Sequence, residues 1–146
     1  MSARLDPYAV SPGTMQELIS FQEFRCVAEL DDALVEMLRA RVSQINGCLQ
    51  GVHRHMRVAR QLGETNERLA CLVIWRNMPF YTERERAALE WTEAVTLVAQ
   101  SHISDRVFEA TRQWFTELEM VSLTMIVAAT NAWNRVELSF WKQPIA

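Results

Sequence analysis

Hydrophobic residues along this chain recur at the spacing of amphipathic helices and never in the strict alternation that is typical of strands. Over residues 31–46 the apolar side chains lie three or four positions apart, which predicts a helix with one apolar face: Leu34, Val35, Leu38, Val42 and Ile45. Asp31 or Asp32 suits the N-cap of this helix. Gly47 suits its end, because glycine adopts the left-handed conformation that closes helices. A second helix is predicted over residues 48–63, up to the next glycine.

The remaining sequence repeats this pattern and predicts an all-α fold. Thr82 with Glu85 forms a capping box, and Ser104 can cap the helix that follows. The last helix is apolar on nearly every side, which is typical of a helix buried in a core or between subunits. We predict a single domain over residues 1–146 with about six to seven helices, in which residues 1–14 form an extended arm. Besides the two helices described above, the predicted helices cover residues 15–29, 64–78, 82–101, 104–115 and 116 onward.

The corner between the helices predicted over residues 31–46 and 48–63 holds most of the residues that could perform chemistry. Because the connection is short, the two helices should pack antiparallel. Glu36 lies eleven residues before Gly47 and His55 lies eight residues after it, so the carboxylate should reach the imidazole. Cys48 begins the second helix, where the positive end of the helix dipole favours the reactive thiolate. A carboxylate, an imidazole and a thiol are therefore predicted to converge, as nucleophile activation requires.

Two further positions in this corner are candidates for binding a small molecule. Gly51 lies inside the second predicted helix, where glycine is unfavourable by up to about 1 kcal/mol relative to alanine. Its missing side chain suggests a small hollow beside Cys48 that could hold a ligand or a water. Gln50, two residues after the thiol, could donate a hydrogen bond there.

This stretch resembles the signature of the AhpD-like alkylhydroperoxidases in the carboxymuconolactone decarboxylase superfamily. That signature is a glutamate, eleven intervening residues, and then Cys-x-x-Cys-x-x-x-His, which Glu36, Cys48 and His55 match. Gly51 stands in place of the second cysteine. The likeness extends to most of the chain, at residues 4–8, 63–65, 75–76, 80–89, 91–96 and 131–135.

The resemblance implies an AhpD-like helical domain that reduces a small-molecule peroxide, here with Cys48 activated by Glu36 and His55. It also implies a trimer or hexamer of identical subunits, a dithiol partner protein as the source of electrons, and no metal, haem or nucleotide cofactor. Two alternatives stay open. The protein could be a redox-inactive member that binds a small ligand or serves as a structural oligomer, or a lactone decarboxylase-like enzyme that uses His55 as its acid–base group.

Composition and residue spacing argue against nucleic-acid binding, a disulfide framework and a metal site. The net charge of −3 gives no electrostatic basis for binding nucleic acid or an acidic membrane surface. Three cysteines (Cys26, Cys48 and Cys71) imply no disulfide framework and indicate a reducing compartment. His53 and His55 point to different sides of one helix, so a metal site is not expected. With no apolar signal core at the N-terminus and no membrane-spanning run, we expect a cytoplasmic protein.

Overall fold

The fold was analysed in a computed structural model that describes residues 3–23 and 30–141. Within this part of the chain the structure is all-α, as predicted, and the only extended pairing is one isolated bridge between Ala3 and Trp141. The described helices are α1 (Pro7–Val10), α2 (Pro12–Glu23), α3 (Asp32–Asn46), α4 (Leu49–Gln61), α5 (Asn66–Ala70), a 3₁₀ helix (Cys71–Asn77), α6 (Glu83–Thr96), α7 (Asp105–Arg112) and α8 (Glu117–Phe140). None of these helices is both long and apolar enough to cross a membrane.

Helix α3 lies at the centre of the fold and packs against α4, α6 and α8. Its apolar stripe is fully buried at Leu38 and Val42, and it meets Leu89 from α6 and Leu123 from α8 in the core. Each leucine buried in this way stabilises the fold by about 1.5–3 kcal/mol relative to an exposed one. This packing holds the α3–α4 corner against the C-terminal half of α8.

The helix ends follow the capping signals of the sequence. Gly47 has φ 69°, the left-handed conformation predicted for it. The N–H of Gly47 bonds to the carbonyl of Gln44, and the N–H of Cys48 bonds to the carbonyl of Ser43 at 2.9 Å. These two bonds form a Schellman motif, which fixes where the chain turns from α3 into α4. The predicted capping box of Thr82 is also present, with both of its reciprocal hydrogen bonds.

The prediction of an extended arm over residues 1–14 was wrong, because α1 and the start of α2 lie within it. The carboxylate of Asp6 accepts hydrogen bonds from the two backbone N–H groups that follow Pro7. Proline is favourable at the first position of a helix, where its missing N–H has no intrahelical partner in any case. Pro12 begins α2 in the same way. Both prolines of this segment therefore begin helices.

Other predicted boundaries also differ from the structure, and the helix predicted over residues 104–115 ends at Arg112. The helix predicted over residues 82–101 ends at Thr96 and continues only as turns. The helix predicted over residues 64–78 divides into α5 and the 3₁₀ helix, whose backbone departs from helical geometry at Ile74. The helix predicted over residues 15–29 begins earlier and is described as far as Glu23. Cys26, expected on this helix, lies outside the described residues.

Glu93 of α6 connects three elements through buried polar contacts. Its Oε1 accepts hydrogen bonds from the indole of Trp75 and from the guanidinium of Arg41, both at 2.9 Å. Its Oε2 accepts one from Arg76 at 2.5 Å. Burial alone would raise the pKa of Glu93, but the bonds from these three residues outweigh it and hold the pKa below the ordinary 4.5. The carboxylate is therefore ionised at neutral pH and ties α3 and the 3₁₀ helix to α6.

Candidate functional site

Glu36 and His55 meet across the antiparallel pair of α3 and α4, as the spacing predicted. Nδ1 of His55 lies 2.8 Å from Oε2 of Glu36, and the other carboxylate oxygen accepts a hydrogen bond from Arg39 at 2.8 Å. Both members of the pair are buried, and His55 is only 4% exposed. Arg39 was not among the predicted site residues. It lies one turn after Glu36 on α3 and pairs with the carboxylate oxygen that His55 does not contact.

The carboxylate of Glu36 is ionised where it contacts His55. Burial by itself would raise the pKa of Glu36, but the hydrogen bond and charge of His55, together with Arg39, hold the pKa below the ordinary 4.5. Nδ1 of His55 is bound to this ionised carboxylate, and the second ring nitrogen is Nε2. That nitrogen is buried and has no hydrogen-bond partner. A buried polar atom without a partner needs an explanation, and a bound substrate or water would supply one.

Cys48 contacts a residue that the sequence did not indicate. It is the N-cap of α4, just before the first helical turn, and its side chain is fully buried. Its Sγ donates a hydrogen bond to Oε2 of Glu137, 3.1 Å away on α8. The other oxygen of Glu137 forms an ion pair with Arg54 at 2.8 Å, and the guanidinium of Arg54 lies over the ring of Trp133.

The prediction that the helix start favours the thiolate of Cys48 was wrong. Burial, which is the largest cause, acts together with the hydrogen bond and negative charge of Glu137 to raise the pKa of Cys48 to about 11. The backbone at Gly51 and the charge of Arg54 act in the opposite direction but do not offset these effects. Cys48 is therefore a protonated thiol at neutral pH in this arrangement. The described contacts of Cys48 do not include Glu36 or His55, the residues expected to activate it.

The expected hollow beside Gly51 is absent. A Cβ atom at position 51 would lie 2.4 Å from Oγ of Ser43 and 3.1 Å from Oδ1 of Asn134. These two side chains are buried and hydrogen-bonded to each other, with Nδ2 of Asn134 donating to Oγ of Ser43 at 3.2 Å. Glycine is present here because α3 and α8 approach α4 too closely for a side chain. Gln50 is half-buried beside this contact.

We expect Gly51→Ala to destabilise the protein because the new methyl group overlaps Ser43. Overpacking lowers the free energy of unfolding by about 1–3 kcal/mol, whereas the better helix propensity of alanine raises it by up to about 1 kcal/mol. Urea denaturation should therefore show a lower free energy of unfolding. The matched control is Gly13→Ala, where no atom lies within 4 Å of the added Cβ, and this variant should be at least as stable as the wild type. A Gly51→Ala protein as stable as the wild type would contradict the close packing. A Gly51→Cys substitution meets the same crowding.

Asn134 and Glu137 were missed as site residues although α8 carried a signal for them. Thr130, Asn134 and Glu137 are polar and recur every three or four residues along a helix that is otherwise strongly apolar. All three are buried. Such a stripe on one helical face indicates a polar contact inside the core. Nothing in the sequence pattern indicates that this stripe faces Cys48, because Glu137 lies 89 positions beyond Cys48 in the chain.

Comparison with known proteins agrees with this architecture. The model of the carboxymuconolactone decarboxylase family matches residues 14–94. The uncharacterised protein YdfG of Bacillus subtilis is 32% identical over 139 residues, which are 95% of each chain. A crystal structure of a protein of unknown function from Agrobacterium tumefaciens, proposed to be the antioxidant defence protein AhpD, is 30% identical. It has a TM-score of 0.91 and the match covers 99% of this chain and 100% of that one.

A more distant match supports the fold alone. The AhpD core of an uncharacterised peroxidase-related protein from Ralstonia eutropha JMP134 is 20% identical, with a TM-score of 0.80 over 94% of this chain and 74% of that one. The family model covers more than half of the present sequence, including the α3–α4 corner, and the relative from Bacillus matches nearly the whole of it. The chain therefore belongs to the carboxymuconolactone decarboxylase family and is an AhpD-like member of it.

Proposed function

We propose that this protein is an AhpD-type hydroperoxide reductase in which Cys48 is the reacting thiol and the Glu36–His55 pair moves protons. The observation that carries the proposal is the buried imidazole of His55, oriented by an ionised carboxylate at 2.8 Å and carrying an unpartnered Nε2. It lies on the helix that Cys48 caps. The names of the Agrobacterium and Ralstonia proteins, which refer to antioxidant defence and to peroxidases, support the same class of reaction.

The proposed reaction oxidises the thiol and reduces the peroxide. Sγ of Cys48 attacks the terminal oxygen of a hydroperoxide, the O–O bond breaks, and Cys48 becomes a sulfenic acid while an alcohol leaves. The thiol proton passes to Nε2 of His55 and from there to the departing alkoxide. His55 lies seven residues beyond Cys48, about 10 Å along the helix axis, so the proton crosses this gap through the peroxide and a bound water. An external dithiol then reduces the sulfenic acid, releasing water and forming its own disulfide.

The test is to remove the reacting thiol and measure peroxide consumption. Wild-type protein, Cys48→Ser and the matched control Cys71→Ser would each be assayed with cumene hydroperoxide and dithiothreitol. Cys71 is a free, half-buried cysteine on the 3₁₀ helix. We expect the Cys48→Ser rate to fall to that of the buffer and the Cys71→Ser rate to equal the wild type. Peroxide turnover that survives in Cys48→Ser would refute the proposal.

A second candidate is acid–base chemistry on a carboxylated lactone, as the family name suggests. It is favoured by one specific observation, since Cys48 is held as a thiol while Nε2 of His55 is buried and has no hydrogen-bond partner. The two candidates differ in which residue is essential. Lactone turnover that is lost in His55→Gln and retained in Cys48→Ser would establish this alternative in place of peroxide reduction.

A further inference from the structure

The hydrogen bond between Cys48 and Glu137 belongs to a set of two contacts, in which the carboxylate of Glu137 joins Cys48 to Arg54. Glu137 projects from the last two turns of α8, and each of its two oxygens has a separate partner. One accepts the thiol of Cys48 at 3.1 Å, and the other accepts Arg54 at 2.8 Å. The carboxylate side chain is 6% exposed, whereas the side chain of Arg54 is 38% exposed. The ion pair therefore connects a buried thiol to the surface of the protein.

The charges in this set oppose ionisation of the thiol. The guanidinium of Arg54 pairs with the carboxylate of Glu137 at 2.8 Å, so Glu137 brings a negative charge next to the thiol. A carboxylate at hydrogen-bond distance can accept the thiol proton in a bond, but it repels the negative charge of a thiolate. The stable form is a neutral thiol that donates to a carboxylate.

We propose that the Arg54–Glu137 ion pair is a latch that holds Cys48 as an unreactive thiol, and that the carboxylate of Glu137 must move away before Cys48 can react. This inference rests on the proposed function, because the latch matters only if Cys48 is the reacting thiol. It adds a regulatory step to that site. Glu137 is a positioning residue here, because it acts on the reacting thiol without contacting the peroxide. The surface-exposed side chain of Arg54 is the part of the latch that a reductant protein or substrate can reach first.

The inference is tested by Glu137→Gln, which keeps the shape of the side chain and removes its charge. The thiolate of Cys48 would be followed by its ultraviolet absorbance during a pH titration, with Cys48→Ser proteins providing the background. The ionisable groups that act on this thiol are Glu137 from α8 and Arg54 from α4, while Glu36 of α3 is bound to His55 and Arg39. The matched control is Glu90→Gln, which removes a carboxylate from a surface ion pair with Arg106.

We expect Glu137→Gln to lower the pKa of Cys48 from about 11 by at least about one unit, and so to increase its thiolate at neutral pH at least about tenfold. Oxidation by hydrogen peroxide should accelerate about three- to fourfold for each unit, because a less basic thiolate is also a weaker nucleophile. Glu90→Gln should change neither quantity.

The latch and the proposed function fail in different measurements. A thiol that titrates at the same or a higher pH in a folded Glu137→Gln protein would overturn the latch, whatever the peroxidase assay shows. If the titration shifts as expected but Cys48→Ser still consumes peroxide, the latch stands and the proposed function is refuted. A loss of stability in Glu137→Gln without any shift in the titration would show that Glu137 is merely structural, and this too would overturn the inference.

Discussion

His55→Gln is expected to lower kcat/KM for hydroperoxide reduction by about 10²–10⁴-fold, the range typical of losing a positioned acid–base group. Glutamine can still donate a hydrogen bond to the carboxylate of Glu36 but has no basic nitrogen. The fold should therefore be retained, which circular dichroism and thermal melting would verify. Cumene hydroperoxide consumption under a limiting concentration of peroxide measures the effect.

The carboxylate partner should behave as part of the same unit. Glu36→Gln removes the charge that orients His55 but leaves the imidazole in place, so we expect a smaller decrease in kcat/KM. The double variant with His55→Gln should be no slower than His55→Gln alone, because residues that act together give non-additive effects. Multiplying effects in the double variant would show that the two residues act independently.

A neighbouring histidine provides the control. His53 lies on α4 two residues before His55 and is exposed, so His53→Gln should have the wild-type kcat/KM. If His53→Gln and His55→Gln lower the rate equally, the buried pair has no special part in the reaction. If neither lowers it while Cys48→Ser abolishes it, the proton of Cys48 leaves by another route.

The fold and the Glu36–His55 contact were predictable because both depend on local sequence. The apolar period of α3, the left-handed Gly47 and the antiparallel return of α4 are encoded within about thirty residues. Helical geometry then places residues at given distances from the corner side by side. The resemblance to a known family predicted the same arrangement independently.

The environment of Cys48 was not predictable from the corner alone. Its pKa depends on burial and on Glu137, which arrives from α8 at the other end of the chain. A helix start favours a thiolate only where the thiol is not enclosed, and here the cost of burying a charge exceeds the effect of the helix dipole. The space beside Gly51 was misjudged for the same reason, because Asn134 of the same helix occupies it together with Ser43.

The largest expected effect on stability comes from Glu93→Ala. Removing one partner of a buried ion pair typically costs about 3–5 kcal/mol, because the remaining charge stays buried without compensation. Arg41 is in that position, since its side chain is 15% exposed and pairs with Glu93 at 2.8 Å. The indole N–H of Trp75 would also lose its acceptor.

Urea denaturation should show the lower free energy of unfolding of Glu93→Ala, while the surface control Glu90→Ala should lose no more than about 1 kcal/mol. Similar losses in the two variants would show that the contacts of Glu93 contribute no more than an exposed pair.

Acidification should produce part of the same loss in the wild-type protein. The pKa values of Glu36 and Glu93 are both lower in the folded protein than the ordinary 4.5. The unfolded chain therefore takes up protons first as the pH falls, and stability from both carboxylates, complete above pH 4.5, is lost below it. Denaturant titrations at decreasing pH should show this decline in the wild type. Glu93→Ala should decline less steeply, because the contribution of Glu93 is absent from it. Equal slopes in the two proteins would mean that Glu93 titrates alike in the folded and unfolded chains, in conflict with its buried contacts.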